Sequence, residues 1–206
     1  MRKNTFKKHV FTILALTILA TTICFGFSGC PKSRPSFDPV VVPETPHTLF
    51  IYRVQNLGSK YSDNGFFVDT DGNVYDIQIS SKKEESEKIL TDREPLSKEM
   101  TDKINTARKS KKVKSNVDEL KIKELLSIGQ RIDFENKFKD AEISEEYHGN
   151  VTYKYYVDPK SSKIVLCSIA APEEIKLLDQ NANKFLSETY NMIEEIKNPK
   201  KEETKK

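Results

Sequence analysis

Thiols, acidic clusters and a run of cations are the side chains of this chain that could do chemistry. Of the cysteines Cys24, Cys30 and Cys167, the last lies in the apolar run Lys163-Ile-Val-Leu-Cys-Ser-Ile-Ala170. Cys24 and Cys30 lie in the first thirty residues, which leaves Cys167 no second cysteine in the domain to pair with, and no histidine is near it in sequence to draw off its proton. It therefore reads as a small buried hydrophobe. Asp69-Thr-Asp71-Gly72-Asn73 has alternating oxygen donors and a glycine, as the opening of a calcium loop does. The register fails, because counting from Asp69 puts Val74 where that loop needs its glycine and Ser80 where it needs the closing glutamate. A tight turn between two strands accounts for the same residues. Acyl transfer would need a nucleophile with a base, and beyond the first thirty residues the histidines are His47 and His148. The sequence carries no Gly-x-Ser-x-Gly elbow, phosphate-binding glycine loop or His-Glu-x-x-His helix. Glu84-Glu85, Glu145-Glu146 and Glu194-Glu195 are paired carboxylates, but 32% of the residues are charged, so each pair reads as a solvated face. No catalytic residue, metal ligand or cofactor is expected.

The cations are more concentrated. Arg108, Lys109, Lys111, Lys112 and Lys114 put five basic groups into seven positions with no acid among them, between two helical segments. A solvated linker is the plain reading. The functional one is contact with anionic lipid head groups or acidic wall polymers, which attract such clusters.

Cys30 has a different context from Cys167. Arg2, Lys3, Lys7 and Lys8 form a basic start, residues 10–27 carry no charge, and small Ser28 and Gly29 precede the cysteine in Phe27-Ser-Gly-Cys30. This arrangement resembles the bacterial lipoprotein signal with its lipobox, although Phe27 stands where that family prefers an aliphatic residue. The resemblance covers the first thirty residues. It implies cleavage between Gly29 and Cys30, a diacylglycerol on the Cys30 thiol and acylation of the new amino terminus. An ordinary cleaved secretory signal, or an uncleaved anchor of close to the ~20 residues that span a bilayer, would draw on the same pattern. All three place the remainder outside the cytoplasm.

Setting the four basic leader residues aside takes the formal charge from +3 to −1. A nearly balanced chain argues against a nucleic-acid partner, which calls for a basic face. Residues 30–47 include Pro31, Pro35, Pro39, Pro43 and Pro46 and read as an extended tether. Residues 198–206 have no apolar side chain apart from Pro199 and read as a charged disordered tail. One domain is expected over residues 48–197.

Within that domain the apolar period switches. Residues 48–55 read as a strand. Residues 65–69 and 73–79 form a hairpin around Gly72, and residues 150–157 and 163–169 a second pair around Pro159. Helices are expected over 95–110, over 117–128 with Asn116 and Glu119 as a capping pair and Gly129 as the stop, and over 172–197. The last carries a stripe of Ile175, Leu178, Ala182, Phe185, Thr189, Met192 and Ile196 that should lie on the sheet. Tyr52, Phe66, Phe67, Tyr75, Tyr153, Tyr155 and Tyr156 fall on the strands, as core filling or as a binding platform on an open face. The pattern predicts an α+β fold, a small antiparallel sheet of two strand pairs packed on helices. Combined with the signal, it implies a lipid-anchored extracytoplasmic binding module of the cell envelope. The runner-up is a small envelope enzyme acting on wall polymers through unidentified carboxylates. A two-lobed solute receptor would need more residues than the domain offers.

Overall fold

Strand β1, Thr48–Asn56, is apolar at successive positions because both of its faces are covered. Phe50 and Tyr52 point into one layer, and Ile51 with Arg53 into the other. A strand with one wet face would alternate instead. The computed structural model describes residues 45–135 and 147–198. The leader, Cys30, nearly all of the tether and of the tail, and Glu145-Glu146 lie outside those residues.

β1 is the fourth strand of a seven-stranded antiparallel sheet ordered β4-β3-β2-β1-β5-β6-β7. The remaining strands are β2 (Ser62–Asp69), β3 (Asn73–Ser80), β4 (Ser115–Asn116), β5 (Asn150–Val157), β6 (Ile164–Ala170) and β7 (Glu174–Lys176). The two expected hairpins are β2–β3 and β5–β6, and β1 joins them edge to edge. The sheet is larger than two strand pairs, since β4 and β7 extend it at either edge with two and three residues. Segments this short have no period to read, and it is unpaired backbone on the neighbouring strands that recruits them.

Helices cover both faces. Helices α1 (Lys83–Ile89) and α2 (Lys98–Lys109) lie over Ile51, Phe67, Tyr75, Ile77, Ile79, Tyr155 and Val157. Helices α3 (Glu119–Gly129) and α4 (Gln180–Lys197) lie over Phe50, Phe66, Val68, Tyr156, Val165 and Cys167. Of the seven strand aromatics, all but half-buried Tyr153 are buried, so among the described residues they fill these two layers rather than forming an open platform.

Boundaries of three helices differ from the sequence expectation. α2 starts after Ser97, whose hydroxyl accepts from the Met100 N–H at 3.1 Å, while Pro95 forms a bridge with Lys163. α3 is capped by Asp118, which accepts from the N–H groups of Leu120 and Lys121, rather than by Asn116. Gly129 is the last residue of the helix, with Gln130 as its cap, rather than a stop beyond it, and the Tyr156 ring, 2.2 Å from where a Cβ would stand, leaves no room for a side chain there. α4 begins at Gln180, eight residues later than expected, behind an Asp179 cap that accepts from the Ala182 N–H at 2.6 Å. The segment between is β7, which leaves Ile175 half-buried on a strand and Leu178 63% exposed in a loop. The expected stripe thus holds from Ala182 onward.

Candidate functional site

The chain enters the sheet at Thr48, the first residue of the central strand, so the segment before it arrives in the middle of one sheet end. The β2–β3 turn lies beside it. Thr70 donates its N–H to the His47 carbonyl at 2.8 Å, and the His47 N–H donates back to Thr70 Oγ1 at 3.0 Å. That turn is built from the acidic motif. Asp69 Oδ1 accepts from the Asp71 and Asn73 N–H groups at 3.0 and 2.9 Å, and Gly72 takes φ +83°. Burial raises the Asp69 pKa against the pull of those donors. The Asp69 oxygen that would open a calcium loop is therefore occupied by backbone N–H groups.

α2 brings the basic run to the same end. It starts near β6, where the Leu96 N–H donates to the Ser162 carbonyl at 2.9 Å, and it leads to β3, where the Lys114 N–H donates to the Val74 carbonyl at 2.8 Å. The five cations do not share one environment. Arg108 turns inward: its guanidinium stands 5.4 Å over the Phe67 ring and Nη2 donates to Thr48 Oγ1 at 3.2 Å, while burial lowers its pKa. Lys114 pairs with Asp76 at 2.8 Å and sits 5.9 Å over Phe66. Lys109, Lys111 and Lys112 are exposed. A tight turn fixes the backbone that presents them, with Lys111 at φ 52° and its N–H donating to the Arg108 carbonyl at 3.0 Å. Between this turn and the β5–β6 turn lies a cleft of about 250 Å³ whose wall includes His47, Thr101, Asn105, Arg108 and Ser162.

A second polar cluster is buried on the α1–α2 face and was not anticipated. Arg53 donates from Nε and Nη2 to the two Asp63 oxygens at 2.9 and 2.8 Å, and from Nη2 to the Ser86 carbonyl at 3.0 Å. Its Nη1 reaches Tyr155 Oη at 3.3 Å, and Gln55 Nε2 donates to Ser86 Oγ at 2.6 Å. The Ser86 hydroxyl in turn donates to Asp63. Burial opposes the charge on Arg53, but its partners outweigh burial and raise its pKa, while the Tyr155 hydroxyl is pushed up to about 12 by burial. Every polar arm of the Arg53–Asp63 pair is answered from inside the protein, so its work is to hold the charged helix α1 on the sheet. An arginine inside Leu49-Phe-Ile-Tyr-Arg53 was the available signal.

The remaining sequence candidates resolve simply. Burial pushes the Cys167 thiol up to about 12 and its Sγ–H contacts the Val165 carbonyl at 3.5 Å, an environment that keeps a thiol inert. Among the described residues no group of three or more His, Cys, Asp or Glu side chains is arranged to hold a metal ion. A surface cavity of about 430 Å³ between the start of α3 and the end of α4 has Asp118 and Glu195 on its wall, together with Lys121 and Asn191. Comparison with protein-family models, with curated proteins and with solved structures gives no match to this chain.

Proposed function

We propose that this protein is a lipid-anchored, extracytoplasmic module of the cell envelope that works by binding rather than by catalysis. The reading starts from Phe27-Ser-Gly-Cys30 after a basic, then uncharged leader. The observation that carries it furthest is the entry of the chain at Thr48, in the centre of a sheet end and beside exposed Lys109, Lys111 and Lys112. Acyl groups on Cys30 would thus tether the domain through residues 31–47, whose proline content allows an extended reach of up to roughly 50 Å. Two or more acyl chains make such attachment stable where one is marginal.

Metabolic labelling of cells with a clickable fatty acid tests this directly. Wild type takes up the label and stays with membranes in high salt, whereas Cys30→Ala takes up none and keeps its leader. Unlabelled wild type with a mature start elsewhere than Cys30 would replace the lipoprotein reading with an ordinary secretory signal.

The second reading, a small enzyme acting on wall polymers, rests on the cavity that carries Asp118 and Glu195. Asp118 spends its Oδ1 on the Leu120 and Lys121 N–H groups at 2.9 and 3.4 Å. A pair of facing carboxylates therefore has less support there than a helix cap has.

A further inference from the structure

We infer that the sheet end through which the chain enters is a docking surface for an anionic bilayer, with lysines from two separate loops flanking the point of entry. The inference rests on the lipid-anchored reading for its orientation and extends it to the residues that touch the membrane. Sequence order conceals the arrangement. Lys109, Lys111 and Lys112 follow α2 beside β3, whereas Lys160 and Lys163 belong to the β5–β6 turn, some fifty residues later. Strand order brings both groups to one end, because β3, β2, β1, β5 and β6 are consecutive neighbours and the start of β1 falls at the same end as the β2–β3 and β5–β6 turns. Four strand spacings separate the outer two, so the lysines flank Thr48 across about 20 Å.

All five side chains are exposed, and none takes part in an ion pair among the described residues, in contrast to Lys98, Lys103, Lys114 and Lys121. Val113, 41% exposed, adds an apolar contact next to Lys112. The acids of this end are largely engaged. Asp158 accepts from Ser161 Oγ at 2.5 Å and from the Ser161 N–H at 3.1 Å inside its own turn, and Asp118 caps α3. Asp71, Glu94 and Asp118 are exposed carboxylates of this end, fewer than the lysines. Unpaired cations are available to lipid phosphates without breaking any internal bridge, and an acylated cysteine joined to the chain that enters in their midst would keep them within reach of the same leaflet. Each lysine near an anionic surface strengthens partitioning about fivefold.

The test uses the chain from Pro31 to Lys206, which retains every described residue of the domain and carries no lipid. Cooperative melting verifies that each variant is folded. Binding is measured by co-sedimentation with phosphatidylcholine vesicles, with and without a minority of phosphatidylglycerol, at low and physiological salt. Wild type prefers the phosphatidylglycerol vesicles at low salt, and the preference shrinks as exposed charges are screened. Lys160→Gln with Lys163→Gln lowers it by roughly 20-fold, and Lys109→Gln with Lys111→Gln and Lys112→Gln by on the order of 100-fold. Lys60→Gln with Lys83→Gln, the same loss of charge at the opposite end, changes it by less than about twofold. Equal losses from the two double variants would reduce the effect to net charge and overturn the inference. So would the lack of any vesicle preference, or tighter binding to a teichoic-acid-like polymer with the same lysine dependence. Because no acyl group is present, failure here leaves the lipid anchor standing, and failure of the fatty-acid label leaves this result standing.

Discussion

Replacing Asp63 by Ala lowers the stability of the folded protein by about 3–5 kcal/mol, because it strands the Arg53 charge in the interior. The Asp63 side chain is 0% exposed and that of Arg53 4%. The loss extends beyond one pair, since Asp63 also accepts from the Ser86 hydroxyl and Arg53 holds the Ser86 carbonyl at 3.0 Å. Helix α1, whose sequence Lys-Glu-Glu-Ser-Glu-Lys-Ile offers little apolar surface, therefore loses its attachment to the sheet as well. The cost belongs to the broken pair rather than to polarity being required there. The double variant Arg53→Met with Asp63→Leu regains most of the stability, as replacement of whole buried ion pairs by apolar groups does. Urea unfolding with equal m-values measures both. A loss under about 1 kcal/mol for Asp63→Ala would show that water reaches the pair.

Phe185→Ala and Leu178→Ala separate in stability by several kcal/mol, although both residues belong to the stripe that the sequence pattern assigns to one helix. Phe185 is 0% exposed, with its ring 5.3 Å from Tyr156 in an edge-on contact and 5.9 Å from Phe50. Its truncation costs about 3–5 kcal/mol. Leu178 is 63% exposed, and its truncation stays within about 0.5 kcal/mol. Thermal or urea unfolding of the two single variants checks the pair. Comparable losses would place Leu178 in the core and extend α4 back toward Pro172.

That contrast shows why part of the fold was legible and part was not. Both hairpins and β1 could be read because their β-formers are long runs and their turns carry Gly72 and Pro159. From Ala182 to Ile196 the apolar spacing agrees with the helix that forms. Upstream, Ile175 and Leu178 keep the same spacing by coincidence. The open edge of β6 offers hydrogen bonds that a helix there would forgo, and it pairs Ser168 with Lys176 and Ala170 with Glu174. Spacing along one chain does not register a partner strand. α1 escaped notice for a related reason, since it is retained by ionic and hydroxyl contacts from Arg53, Gln55 and Asp63 rather than by an apolar stripe.

The candidate site divided in the same way. Five cations in seven positions were visible, but the inward turn of Arg108 onto Phe67 and the bridge from Lys114 to Asp76 depend on residues forty positions away. In the sequence Lys160 falls in a turn and Lys163 opens a strand, and only strand order sets them at the same sheet end as the basic run. Sequence spacing thus supplied the composition of the basic end, and sheet topology supplied its membership.

The most direct test of the account is the mass of the N-terminal peptide of the protein recovered from membranes. A lipid-anchored protein gives a mature chain that begins at Cys30 and carries a thioether-linked diacylglycerol, with or without a further acyl group on its amino nitrogen. An unmodified Cys30, whether internal to an intact leader or following an ordinary cleavage, would contradict it.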